Sequence, residues 1–301
     1  MKRQAKSLQS FVKTKLAKEW LAGVEKLEPI SPRTLYATAA KQVVTPSGAN
    51  ALPADQQDGL KEIVVNDSLY YYTKYGSPLA YCRAIDLVAA AGFELKPGSR
   101  VLDFGYGGIG TLRLWAESGA AAVGVDVDPL LKAMYSEPGD TGKVGRGFIQ
   151  LVEGRWPAES KAVAAIGGEY DLFISKNTLK RGYVHPERPA PKAQLIDLGV
   201  DDTTYLKAIW TSLKPGGFAM INNLCPKQAP PDKPFIPWAD GRCPFERADI
   251  VRTGFEILAF DVKDDKEARA MGKHLEWDKQ GMDLDGDLFA TYTLLRRPVA
   301  K

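Results

Sequence analysis

Residues 101–110 read Val101-Leu102-Asp103-Phe104-Gly105-Tyr106-Gly107-Gly108-Ile109-Gly110. An apolar, strand-like run passes straight into glycines, and a helical pattern starts near Thr111. Glycine reaches backbone conformations with φ > 0 and lets a main chain approach a ligand closely. The helix beyond it offers N–H groups with no partner inside the helix. The next strand-like run, Ala121–Val125, leads into Asp126, twenty-one residues after Gly105. A carboxylate at that spacing can accept the hydroxyls of a ribose. Gly105, Gly107 and Gly110 also satisfy GxGxxG, so the turn alone fits a nicotinamide or flavin dinucleotide as well as another adenosyl cofactor. Asp103 weighs against the dinucleotides, because a carboxylate two residues before the first glycine would repel a diphosphate.

Outward from this turn, strand-like and helix-like segments alternate. Arg100–Phe104, Ala121–Val125, Phe148–Val152, Tyr170–Ser175 and Phe218–Asn222 have strand character. Helical patterns cover Gly110–Ser118, Pro129–Tyr135, Pro157–Ile166 and Asp202–Leu213. Apolar strands separated by helices predict a mostly parallel sheet covered on both faces. Two final strands, Phe255–Val262 and Leu288–Leu295, lack a long crossover helix between them and read as an antiparallel pair. Long insertions at 178–201 and 224–245 interrupt the pattern. The division expected is an N-terminal extension over 1–76, helical and irregular and able to act as a lid, followed by an α/β domain over 77–301.

Four segments in this order, VLDFGYGGIG (101–110), GVDVDP (124–129), YDLFISKN (170–177) and LKPGGFAMINN (213–223), resemble class I S-adenosylmethionine-dependent methyltransferases across about residues 80–296. The resemblance implies a Rossmann-like, doubly wound, seven-stranded and mostly parallel sheet, of strand order 3-2-1-4-5-7-6, with a C-terminal antiparallel hairpin. It implies S-adenosylmethionine as cofactor and methyl transfer to a small or medium-sized molecule. Asp103, Gly105, Tyr106, Gly107, Gly108 and Gly110 would meet the methionine end, and Asp126 and Val127 the ribose. Gly154, Arg155 and Trp156 would border the adenine, and Ser175 would close the fourth strand beside the cofactor. The chain departs from the family at Arg155, where an acidic group is common, and at Gly110, which is displaced by one position.

The resemblance places acceptor chemistry at Ser175-Lys176-Asn177-Thr178. This is neither the Asn/Asp-Pro-Pro-aromatic signature of nucleic-acid amino methylation nor an acidic metal-binding pattern. Lys176 and His185 are the catalytic candidates; an imidazole with an unperturbed pKa of about 6.5 suits a general base. Tyr72, Tyr75, Asn177, Arg181, Tyr183 and Trp238 are candidate acceptor contacts, and Lys176, Lys180 and Arg181 are cations able to hold an anionic acceptor. Each has a plainer reading: a loop imidazole bonded to backbone, solvated surface cations, an aromatic packing cluster. The second insertion is rich in proline (Pro226, Pro230, Pro231, Pro234, Pro237, Pro244) and therefore stiff, with little entropy to lose on ordering. A nicotinamide-dependent oxidoreductase using the same glycines, and a cofactor-binding protein without catalysis, remain as alternatives.

Composition narrows the field further. The 301 residues are 45% hydrophobic and 26% charged, enough for a sizeable core. Residues 1–26 carry a net +5 while the rest of the chain sums to −2. That body lacks the basic face of a nucleic-acid binder. No apolar run approaches the roughly 20 residues that span a bilayer, and a cytoplasmic protein is expected, although a trimmed signal would look the same. Cys82, Cys225 and Cys243 have neither CxxC spacing nor an even number, which disfavours a metal cluster or disulfide framework. Asp283–Asp287 mimics a calcium loop with its glycine misplaced, His274 has no second histidine at ligand spacing, and no metal is expected. Apolar residues from Leu8 to Leu27 fall at helical spacing and predict one amphipathic helix over 4–27.

Overall fold

The computed structural model describes residues 1–72 and 76–299. Its main sheet contains β4 (Arg100–Phe104), β5 (Ala121–Asp126), β6 (Gly142–Val144), β7 (Gly147–Glu153), β8 (Tyr170–Lys176), β9 (Leu213–Cys225), β10 (Glu256–Lys263) and β11 (Phe289–Arg296). Their spatial order is β10-β11-β9-β8-β4-β5-β7-β6. Pairs β4·β5, β5·β7, β4·β8 and β8·β9 are parallel, and β11 runs antiparallel to both β9 and β10. Seven of these strands reproduce the expected order, with β11 inserted between β9 and β10. The eighth, β6, is a correction. It pairs antiparallel with the outer edge of β7 through a tight turn at Gly145–Arg146, and three residues of GKV give no periodic signal.

Alternation along the central strands sends neighbouring side chains to opposite faces. Val101, Leu172 and Met220 join one apolar cluster, while Leu102, Phe173, Ala219 and Ile221 join another on the far side. The first face is covered by the helices Cys82–Ala90 and Ile109–Ser118 and by the N-terminal helices. The second carries Ser160–Ile166, Asp202–Ser212 and Arg247–Thr253, with an aromatic stack of Phe104, Trp156, Phe173 and Tyr205.

The N-terminal region corrects the sequence reading twice. The expected helix over 4–27 is two helices, Lys2–Leu8 and Lys15–Ala22, followed by a 3-10 turn at Gly23–Lys26. The break is fixed from elsewhere: Asp86 accepts hydrogen bonds from the N–H groups of Lys13 and Thr14 and from the Thr14 hydroxyl. Thr14 then caps the second helix by accepting from Ala17 N–H. Trp20 on that helix meets Trp115 edge-on, with centroids 6.4 Å apart.

The stretch read as irregular holds a three-stranded antiparallel sheet, β1 (Arg33–Ala37), β2 (Val43–Val44) and β3 (Lys61–Val65), in order β2-β1-β3. It is anchored by Arg33, whose guanidinium donates to both Asp140 oxygens at 2.7 and 3.2 Å and to the Met134 carbonyl. The following helix, Asp67–Tyr72, is tied to the same carboxylate through the Tyr70 hydroxyl at 2.7 Å.

Candidate functional site

The ends of β4, β5, β7 and β8 open into one cavity of about 860 Å3. It lies where β4 parts from β8, since the chain leaves β4 toward β5 on one side and returns as β8 on the other. In open α/β sheets such switch points are where ligands bind. Its floor is the glycine turn. Gly105 has φ +64°, and a Cβ there would fall 2.3 Å from the Thr178 hydroxyl and 2.8 Å from its Cβ. The turn thus owes its shape both to backbone freedom and to Thr178 packed against it.

Gly110 works differently. It is buried in the helix Ile109–Ser118, where a Cβ would meet the Tyr71 carbonyl at 2.5 Å and Pro78 at 2.9 Å. It makes room for helix packing and lies away from the cavity wall.

Asp126 ends β5 at the cavity rim. One carboxylate oxygen accepts from Val127 N–H at 2.8 Å and Asp128 N–H at 3.0 Å, and the other from Gly107 N–H at 3.1 Å. Burial pushes this carboxyl above its ordinary value, and those backbone donors oppose the shift. Asp126 and Gly107 are therefore already joined, and of the carboxylate oxygens Oδ2 keeps a lone pair for a further donor. Gly105, Tyr106, Gly107, Gly108, Val127, Gly154, Arg155 and Trp156 all line the same cavity. Trp156 is buried in that lining and packs on Phe104 and Tyr205. Arg155 pairs with Asp197 at 3.3 Å across the opening.

Asp103 does not reach the cavity. It is fully buried, and Lys176, at the end of the adjacent β8, covers it and donates to its Oδ1. Burial pushes the Asp103 carboxyl up, and the ammonium of Lys176 opposes this. Oδ2 has no partner. Lys176 itself lines the cavity and lies 5.3 Å from the centre of the Tyr81 ring. Ser175 is also buried beneath the wall, where its hydroxyl accepts from Leu179 N–H.

Further lining comes from the end of β8, from the two insertions and from Tyr72 and Tyr81 ahead of the core. Asn177 takes φ +59°, a conformation that asparagine adopts more readily than most residues. Its side chain donates to the Tyr81 hydroxyl at 3.1 Å and accepts from Leu224 N–H at 2.6 Å. Burial pushes the Tyr81 phenol up to about 12. Tyr72, Tyr183 and Trp238 complete an aromatic wall. Tyr75 lies outside the described residues.

Lys180, in contrast to the solvated reading of its sequence, is 3% exposed. Its ammonium donates to the carbonyls of Leu224 at 2.7 Å and Trp238 at 3.0 Å. Burial pulls its pKa down to about 8.

Two candidates fall elsewhere. Arg181 turns away to pair with Glu246 at 2.9 Å. His185 lines a separate pocket and sits 2.9 Å from Asp202. That pocket shares the segment Leu195–Leu198 with the main cavity as a common wall. Sequence reasoning placed Thr178 in the acceptor segment but missed Tyr81 and Leu195–Leu198 as cavity residues. Neither of these carried a local signal. Among the described residues no group of three or more His, Cys, Asp or Glu is placed to hold a metal ion, and no helix is long and apolar enough to cross a membrane.

No family model and no curated protein matches the chain. Among solved structures it is similar to phosphoethanolamine N-methyltransferase 2 of Haemonchus contortus in complex with S-adenosyl-L-methionine. The identity is 15%, over 96% of this chain and 75% of that one, with TM-score 0.45. It is also similar to the [4+2]-cyclase SpnF, at 19% identity over 72% and 81%, TM-score 0.44. A third is a SAM-dependent methyltransferase of Geobacter sulfurreducens with S-adenosyl-L-homocysteine, at 16% over 71% and 89%, TM-score 0.35. At such identities and TM-scores these likenesses carry no functional argument, which has to come from the cavity itself.

Proposed function

We propose that the chain binds S-adenosylmethionine in this cavity and transfers its methyl group to a small molecule. The observation that carries the reading is the joint placement of the Gly105–Gly108 turn and Asp126 at the switch point of a sheet with β11 inverted between β9 and β10. A doubly wound dinucleotide-binding sheet of the dehydrogenase type has strand order 3-2-1-4-5-6, and the inverted strand departs from it.

The residues present fit the cofactor. Asp126 suits the ribose hydroxyls, and Val127 and Trp156 offer apolar surface for the adenine. Lys176, its charge already matched by Asp103, lines the cavity at the end of β8. The volume is at the upper end of the roughly 300–1,000 Å3 typical of small-ligand sites, which leaves room for an acceptor beside the cofactor. When bound, the cofactor supplies an electrophilic methyl on a sulfonium.

The chain's own part is to align the acceptor and exclude water. Tyr72, Tyr81, Tyr183 and Trp238 form the wall that does so. Asn177, held between Tyr81 and the Leu224 backbone, positions that wall. His185 has no access to the cavity in this arrangement, so no base role falls to it.

Thermal unfolding and calorimetry with S-adenosylmethionine, S-adenosylhomocysteine and NAD(P) test the reading. Ligand at one hundred times its Kd stabilises the fold by about 2.7 kcal/mol, and that rise is expected for the two adenosyl ligands alone. A rise confined to NAD(P) would overturn it. Binding without turnover over a broad acceptor panel would favour the non-catalytic alternative.

A further inference from the structure

We infer that Lys180 binds an oxyanion on the acceptor, so that the acceptor is a small, flat acid held by its carboxylate or phenolate in the half of the cavity opposite the glycine turn. The inference rests on the methyl-transfer reading only for the word acceptor; the anion site stands on its own geometry.

Three cations were candidates from sequence, and the structure separates them. Lys176 is neutralised by Asp103 and Arg181 by Glu246. Lys180 has no carboxylate within ion-pairing distance among the described residues, although it is buried and belongs to the cavity lining. A buried charge without a counter-charge is costly, and a lysine ammonium has three N–H donors. The carbonyls of Leu224 and Trp238 take two of them, the Cys225 thiol lies near the same ammonium, and the third donor is the one the inference assigns to the ligand.

With its pKa held near 8, the group still carries its proton at neutral pH, so an incoming anion meets a cation. The surrounding surface selects the rest of the molecule. The Tyr183 ring lies 5.7 Å from the Lys180 ammonium, and Tyr72, Tyr81 and Trp238 complete a wall of flat faces suited to a planar apolar body. A second lysine, Lys176, stands at the same wall with its charge already matched. On this wall Lys180 is the one cation without a carboxylate partner among the described residues, with Asp126 and Asp128 on the glycine-turn side of the lining, which fits a monoanion.

The test compares benzoate with its neutral isostere benzamide by calorimetry on the full chain at pH 7, with and without S-adenosylhomocysteine. Benzoate is expected to bind at least tenfold tighter. Lys180→Met should erase that preference while leaving S-adenosylhomocysteine affinity within twofold, and Lys180→Arg should restore part of it. 4-Nitrophenol separates the two oxyanions, since growth of its phenolate absorbance on mixing would place a phenolate at the site. Equal affinity for acid and amide in the wild type, a preference surviving Lys180→Met, or no binding of either anion would overturn the inference. If S-adenosylhomocysteine fails to bind while the benzoate preference persists, the methyl-transfer reading falls and the oxyanion site stands.

Discussion

The two halves of the cavity are built by different means. The glycine-turn half is made of strand ends and backbone: Gly105, Gly107 and Asp126 are neighbours by virtue of the β4·β5 register, and their contacts run between main chain and one carboxylate. The facing half is made of two insertions held by side chains reaching distant backbone. Lys180 spans to Leu224 and Trp238, Asn223 to Leu179 and Gly241, and Arg188 to the carbonyls of Ala229, Pro230, Pro231 and Lys233. The first half follows from the sheet topology, whereas the second depends on side chains that reach far along the chain. Cofactor chemistry belongs with the first and acceptor choice with the second.

Gly105→Ala attacks the seam between them and should have the largest effect. The new Cβ would require an unfavourable φ and collide with the branched Thr178 side chain, a cost of about 2–4 kcal/mol. Denaturant melts would show it, and an unchanged midpoint would mean that Thr178 is free to move.

Next comes pH. Lys180 binds its proton less tightly folded than unfolded, so between pH 8 and about 10 the unfolded chain holds more protons and folding gains with rising pH. The stability of the wild type relative to Lys180→Met should therefore climb over that window, by up to about 3 kcal/mol at 1.36 kcal/mol per pK unit. A flat difference would place the ammonium in water and remove the contrast between the halves.

Asp126→Ala should weaken S-adenosylhomocysteine more than tenfold in calorimetry, about 1.4 kcal/mol, while leaving benzoate binding near its wild-type value. Equal loss of both ligands would show the halves to be coupled. The smallest effect is expected at His185→Ala, which should change methyl-transfer turnover less than twofold because the imidazole faces another pocket. A tenfold loss would move the catalytic centre across the Leu195–Leu198 wall.

What the sequence made legible follows the same division. The strands, the glycine turn and Asp126 were readable because apolar runs and turn residues are local signals, whereas the strand order came only with the family resemblance. The covering of Asp103 by Lys176 was not, since it depends on the pairing of β4 with β8, more than seventy residues on. Lys180 reads as a solvated loop cation because the carbonyls that bury it lie 44 and 58 residues away. The break between the two N-terminal helices has the same origin in Asp86, 72 residues beyond Thr14. The sheet β1–β3 escaped notice because its strands are short and Leu35 is the single buried residue of β1. Such strands show little of the alternation that marks a half-buried one.

The clamp between Arg33 and Asp140 also bears on how the chain is made. The two residues are 107 positions apart, and synthesis proceeds at about 5–20 residues per second. For roughly 5–20 seconds after β1 leaves the ribosome, the carboxylate that will anchor it does not yet exist. During that interval the small sheet has to survive without its dock, and a strand burying one leucine presents little apolar surface for a premature partner to seize. Its weak sequence signal and its capacity to wait are thus the same property.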